Sequence, residues 1–160
     1  MPFLVTGIAW LADRVFALAD ADKNCFFLFS LLQRDHVSPA NPVALEALVP
    51  TILYLPTIRP NWHISFFQLE TTPLLASTPS DRPFTASPES HIIVFTLQYS
   101  TTGHRETSGR YLGFVHNRTL LAYAPGDSSS REGNEISWSE WGPMNTRIMP
   151  NRFSRTVFAR

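Results

Sequence analysis

A chain of 160 residues, 44% of them hydrophobic, is long enough to bury a conventional core without metals or disulfides. Thirteen Lys and Arg balance thirteen Asp and Glu, so no long-range field draws the protein to nucleic acid; with only 16% charged residues, the surface must be dressed largely by Ser, Thr, Asn, Gln and Pro. No run approaches the roughly 20 consecutive apolar residues of a membrane-spanning helix, so no membrane partner is expected.

Met1 to Ala12 are apolar, but no Lys or Arg precedes them and they run straight into Asp13-Arg14, so they read as a first strand region rather than a signal peptide. The apolar runs Arg14 to Ala19 and Cys25 to Leu32 flank the polar stretch Asp20-Ala21-Asp22-Lys23-Asn24, the pattern of a β-hairpin. Cys25 to Phe29 is apolar without alternation, which predicts a central strand covered on both faces. Cys25 is also the only cysteine, so no intrachain disulfide can form, and a buried thiol in a cytoplasmic or nuclear protein fits best. From 38 to 88 the chain carries nine prolines, which break this irregular segment into short extended pieces. Within it, Val43 to Val49 allows a short helix and Thr51 to Leu55 a short strand. Trp62 to Leu69 reads as a full strand with Trp62, Ile64 and Phe66 on one side and His63, Ser65 and Phe67 on the other. His91 to Tyr99 is the clearest strand and should be central. Tyr111 to Val115 and Thr119 to Tyr123 read as a strand pair joined through His116-Asn117-Arg118, and the polar loop Pro125 to Asn134 leads into a Trp-rich tail. The expected fold is all-β and antiparallel, either a sandwich or part of a propeller, with residues 1–160 as a single β-rich domain.

Few residues offer chemistry. Asp20-Ala-Asp22-Lys-Asn24 opens like a calcium loop, but Cys25 stands where Gly is needed and Leu31 where the closing Glu belongs, so a turn is expected. Gly126-Asp127-Ser128 looks like the nucleophile motif of some esterases, yet no Asp or His follows Asp127 to complete a triad. The histidines, His36, His63, His91, His104 and His116, lack metal-ligand spacing, and the glycines form no phosphate loop. Thr72-Pro73, Thr78-Pro79 and Ser87-Pro88 could accept phosphate, though Pro-rich loops produce such pairs by composition. No catalytic residue, metal or cofactor is therefore assigned. The most distinctive stretch is Ile136 to Arg147, with Trp138 and Trp141 three residues apart, a Gly142-Pro143 pair expected to turn the chain, and Asn145-Thr146-Arg147. Core indoles with Arg147 paired to Glu140 or a carbonyl are favoured over ligand contact, since large aromatics in small β domains pack inward.

The segment Trp138-Ser-Glu-Trp141-Gly-Pro-Met-Asn145-Thr-Arg147 resembles the signature tail of F-box-associated proteins of mushroom-forming fungi. Pro83 to Glu89 with Ile93 to Tyr99, and Phe114 to Leu121, are similar to further pieces of that family in the same order, so the resemblance covers about residues 50 to 150. In that family an N-terminal helical F-box docks on the adaptor of a cullin-type ubiquitin ligase, and a β-rich, propeller-like C-terminal region selects substrates. Two departures narrow what the resemblance implies. No stretch before Phe16 could hold the F-box, and Ile148 follows Arg147 where an aromatic is usual. The resemblance therefore implies a non-catalytic protein-interaction domain of the substrate-recognition type, with Trp138, Trp141, Asn145 and Arg147 as its structural or interaction residues and an unidentified protein as partner. Direct adaptor binding is not expected. The alternative is a structural or homotypic interaction module with no ubiquitin-ligase link, and a small hydrolase using Ser128 and His116 is the weakest reading.

Overall fold

Short polar breaks between aromatic and β-branched runs make strands of the first part of the chain. The structure, a computed structural model, describes residues 5–31, 48–70, 90–101, 108–125 and 134–151. Strands β1 (Val5–Ala12), β2 (Val15–Asp20) and β3 (Cys25–Ser30) form two successive antiparallel hairpins. The turn between β2 and β3 is held by Asp20, whose Oδ1 accepts the Lys23 backbone N–H at 2.9 Å, and it ends on Asn24 at φ 55°, a left-handed conformation that Asn tolerates. This accounts for the Asp-rich stretch without a cation. β4 (Thr51–Tyr54) adds to β3, and the two-residue β8 (Glu135–Ile136) pairs with β4 in parallel, the single departure from antiparallel pairing among the described strands.

The second sheet has the order β5 (Trp62–Glu70), β6 (Ile92–Thr101), β7 (Ser108–His116) and β9 (Thr146–Pro150). Of the two architectures left open by the sequence, the sheets adopt the sandwich. Their facing sides share one core in which Phe26 and Leu28 of the first sheet meet Phe67, Phe95 and Leu97 of the second. β3 and β6 are both central, as their composition predicts. β3 is buried on both faces, because Phe27 and Phe29 belong to a second apolar cluster with Phe16 and Leu18 on the outer side of its sheet. Phe26 meets Phe67, Phe95 and Trp141 edge-on at centroid distances of 5.1, 5.3 and 5.9 Å, an arrangement that suits the ring quadrupoles.

Two sequence expectations are corrected. Strict alternation along β5 fails at a bulge between Ile64 and Phe66, so Ile64, Phe67 and Leu69 all face the core and Phe66 is turned outward. Ser65 at the bulge bonds Ser100 Oγ at 2.8 Å. The expected strand Thr119 to Tyr123 is instead part of helix α1 (Asn117–Ala122). A hairpin partner would need the free edge of β7, and β9 occupies it. Asn117 fixes the helix start by donating its Nδ2–H to the Leu11 carbonyl at 2.7 Å and its backbone N–H to the His91 carbonyl at 2.8 Å. The short helix considered for Val43 to Val49 lies largely outside the described residues, as do most of the polar loops at 100–108 and 125–134.

A methyl group at Gly113 of β7 would overlap the Phe95 ring, which is fully buried among Phe26 and Phe67 and has nowhere to swing. Gly113→Ala should cost about 1–3 kcal/mol, the usual range for overpacking, and lower the melting temperature by roughly 2–4 °C per kcal/mol. An unchanged melting temperature would show that the ring has room. Stability should also fall at alkaline pH. Burial, reinforced by Asp20, pushes the Cys25 thiol from 9.0 up to about 12, and burial beside Tyr111 pushes the Tyr99 phenol from 10.0 up to about 12. Both groups keep protons in the native state that the unfolded chain has already released, so their stabilising contribution is full below the unfolded values and is lost as pH rises toward the folded ones. Urea midpoints should decline from about pH 9 upward, and Cys25→Ala should remove the earlier part of that decline.

Candidate functional site

Trp138, Trp141 and Asn145 lie on helix α2 (Trp138–Asn145), which carries the chain from β8 in the first sheet to β9 in the second. Trp141 is 0% exposed and donates its Nε1–H to the Tyr54 carbonyl of β4 at 2.8 Å. Its indole fills the end of the core, edge-on to Phe26 at 5.9 Å and to Trp138 at 5.1 Å. Trp138 is half-buried and lies across Gly142, where any side chain would overlap its ring. The spacing of these three residues places them on adjoining turns of one helix.

Gly142-Pro143 does not turn the chain. Both residues lie inside α2, and the reversal comes where the helix ends at Asn145. Pro143 removes one helical N–H, and the final carbonyls find side-chain donors instead. Asn145 Nδ2–H donates to the Trp141 carbonyl at 2.8 Å, and Thr146 supplies both its Oγ1–H, at 2.7 Å, and its backbone N–H to the Gly142 carbonyl. Arg147 is exposed on β9, and its Nη1–H donates to the neighbouring Thr146 carbonyl at 2.9 Å.

The α2–β9 corner forms one wall of a cleft of about 370 Å³, with Met144, Asn145 and Arg147 on one side and Ile92, His116 and Arg118 on the other. Phe114 and Thr146 contribute to its lining. Neither Arg118 nor Arg147 has a carboxylate partner among the described residues. Asn145 and Arg147 are thus brought together with Arg118, which the sequence reading placed in a connecting segment, and with His116, which it weighed only beside Ser128 in the hydrolase reading. Pairing of β6 with β7, which sets Ile92 opposite His116, and of β7 with β9, which sets Phe114 opposite Arg147, assembles the cleft from segments far apart in the chain. No local spacing could signal it.

Gly126-Asp127-Ser128 lies outside the described residues. Among those described, no three His, Cys, Asp or Glu residues are grouped to hold a metal ion. The Cys25 thiol is buried and held protonated by that burial, so it offers no nucleophile at neutral pH.

Trp141→Ala should cost about 3–5 kcal/mol, and Trp141→Phe, which keeps a ring but leaves the Tyr54 carbonyl without its donor, about 1–3 kcal/mol. Arg147→Ala should stay within about 0.5 kcal/mol of wild type. Urea denaturation of the three variants measures this order. Equal losses for Trp141→Phe and Arg147→Ala would remove the hydrogen bond's part in the anchor.

Compared with protein families, with curated proteins and with solved structures, the chain shows no significant match.

Proposed function

We propose that the chain is a non-catalytic protein-interaction domain that takes hold of a partner protein in the cleft between α1 and the α2–β9 corner. The resemblance to the substrate-side region of fungal F-box proteins motivates the reading, since its signature residues Asn145 and Arg147 stand on this cleft. The observation that carries it is the combination of two guanidinium groups without carboxylate partners among the described residues and two exposed apolar side chains, Met144 at 86% and Ile92 at 49%, around one concavity. An apolar centre with a polar rim, enriched in Arg and Met, is the usual anatomy of a recognition surface. Met adapts its shape to varied partners. The motif's tryptophans then hold the wall and its exposed residues face the partner.

A homotypic interaction is the second reading. Ile8 and Trp10 of the edge strand β1 are 51% and 43% exposed, and the formal net charge is zero, which favours self-association.

A photo-activatable residue at Met144 separates the two. The wild-type background should cross-link a distinct partner that also binds when purified, and Arg118→Ala with Arg147→Ala should reduce capture at least tenfold with the melting temperature unchanged. Capture that ignores both arginines would overturn the reading. If the chain cross-links only to itself and Trp10→Lys abolishes dimers in sedimentation, the homotypic reading replaces it.

A further inference from the structure

Concavities open at both ends of the β5–β9 sheet. The one lined by Thr57, Arg59, Trp62, Tyr99 and Tyr111, of about 440 Å³, is an aromatic groove whose hydroxyls donate and accept alike, so its polar groups single out no ligand class. The cleft of about 370 Å³ at the α2–β9 corner does single one out, by charge.

Its ionisable lining is His116, Arg118 and Arg147, without a carboxylate. The other polar side chains, Thr119, Asn145 and Thr146, carry no charge, and the last two already donate to the Trp141 and Gly142 carbonyls. Two fixed positive charges therefore share one cleft. Both guanidiniums are exposed, and Arg147 spends only one N–H on the Thr146 carbonyl, so donors are left over on each fork. This sheet and α2 carry one described carboxylate each, and neither cancels them. Glu70 faces the same side of the sheet as Arg147, but Val94 and Phe114 stand between them in register. Three strand spacings amount to about 14 Å, beyond the screening length of about 8 Å in physiological salt. Glu140, one turn before Met144 on α2, is exposed and lines no wall of the cleft.

The chain as a whole is formally neutral, so this preference is confined to the cleft and does not extend along a polyanion such as nucleic acid. Between the arginines the lining is apolar, with Ile92, Phe114 and Met144. A small free anion would leave those groups uncovered, whereas a peptide with an acidic side chain beside an apolar one covers both. Desolvation cost grows with the square of the charge, so against this apolar lining a singly charged carboxylate fits better than a doubly charged phosphoryl group. A carboxylate is also planar and takes two parallel N–H bonds from one guanidinium.

We propose that the segment held in this cleft is acidic: Asp or Glu side chains pair with Arg118 and Arg147 while a neighbouring apolar side chain packs on Ile92 and Met144. The inference rests on the reading of the cleft as a partner site and names the partner's chemistry.

The test is an NMR titration of the full chain that follows the methyl groups of Met144 and of Met149, which is exposed on β9 but outside the cleft lining. The probes are Ala-based octapeptides in which a Leu is flanked by a pair of Glu, Gln or Lys residues, or stands beside a single phosphoserine that matches the Glu pair in charge. The Glu peptide should shift Met144 saturably, leave Met149 unmoved and bind at least about tenfold more tightly than the Gln peptide, the size of one charge-assisted hydrogen bond. Arg118→Gln with Arg147→Gln should abolish that difference. Arg118→Glu with Arg147→Glu should move the preference to the Lys peptide, a gain that a folding defect cannot imitate. Equal binding of the Glu and Gln peptides at Met144 would overturn the acidic partner and leave the cleft reading standing. Tighter binding of the phosphoserine peptide would overturn the choice of a carboxylate. Equal shifts of Met144 and Met149, or no shift with any peptide, would also overturn the inference, while the cross-link from Met144 tests the cleft reading by itself.

Discussion

The hydrogen bond from the Trp141 indole to the Tyr54 carbonyl holds together what the chain order would leave apart. β8 ends the first sheet and β9 ends the second, and α2 must cross between them within eight residues. A ring buried beside Phe26, with its polar N–H satisfied by the backbone of β4, fixes the helix against the first sheet. The emerging chain can then pair with β7. An indole suits this place because it combines large apolar area with a single donor. Trp138 on Gly142, and the Asn145 and Thr146 side chains on the last carbonyls of α2, complete the same corner. Most of the Trp-x-x-Trp-Gly-Pro-x-Asn-Thr-Arg motif is accounted for by this structural task. Pro143, Asn145 and Arg147 are the motif residues left exposed.

The first sheet is apolar on both sides, which explains why its central strand shows no alternation. Ile8, Leu18, Phe27 and Ile52 stand in register across β1 to β4, and Trp10, Phe16 and Phe29 form a second row. Phe16 and Phe29 stack at 5.1 Å, and Trp10 leans on Phe16 at 5.3 Å. Exposure rises toward the β1 edge, where Ile8 and Trp10 are open while Leu18, Phe16 and Phe29 are buried.

The second sheet carries the two concavities at its opposite ends. β6 and β7 run antiparallel from Tyr99 and Tyr111 at one mouth to Ile92 and His116 at the other, and their interior is locked by Phe95 and Leu97. Such a scaffold holds both sets of side chains in place, which would lower the ordering cost of any binding there. The two ends differ in character: one is lined by aromatic rings, hydroxyls and Arg59, the other by Arg118 and Arg147 with exposed Ile92 and Met144.

Much of the strand content was legible in local pattern. The Asp-rich turn between β2 and β3, the strands at Cys25 to Ser30 and Ile92 to Thr101, and the central position of both follow from residue types whose spacing suits a pleated sheet and whose low polarity excludes an edge. Local pattern did not locate the bulge at Ser65, because one inserted residue reverses the sides of everything after it and leaves the composition unchanged. Nor did it separate helix from strand at Asn117 to Ala122, where a short apolar run suits either state until β9 takes the free edge of β7. The signature tail was recognised as distinctive, but whether each residue faced the core or the surface was decided by the crossing of α2 between sheets. The cleft and the aromatic groove were decided only by tertiary structure, since each joins side chains from strands that meet through long-range pairing, and a ligand-sized concavity has no counterpart in linear order.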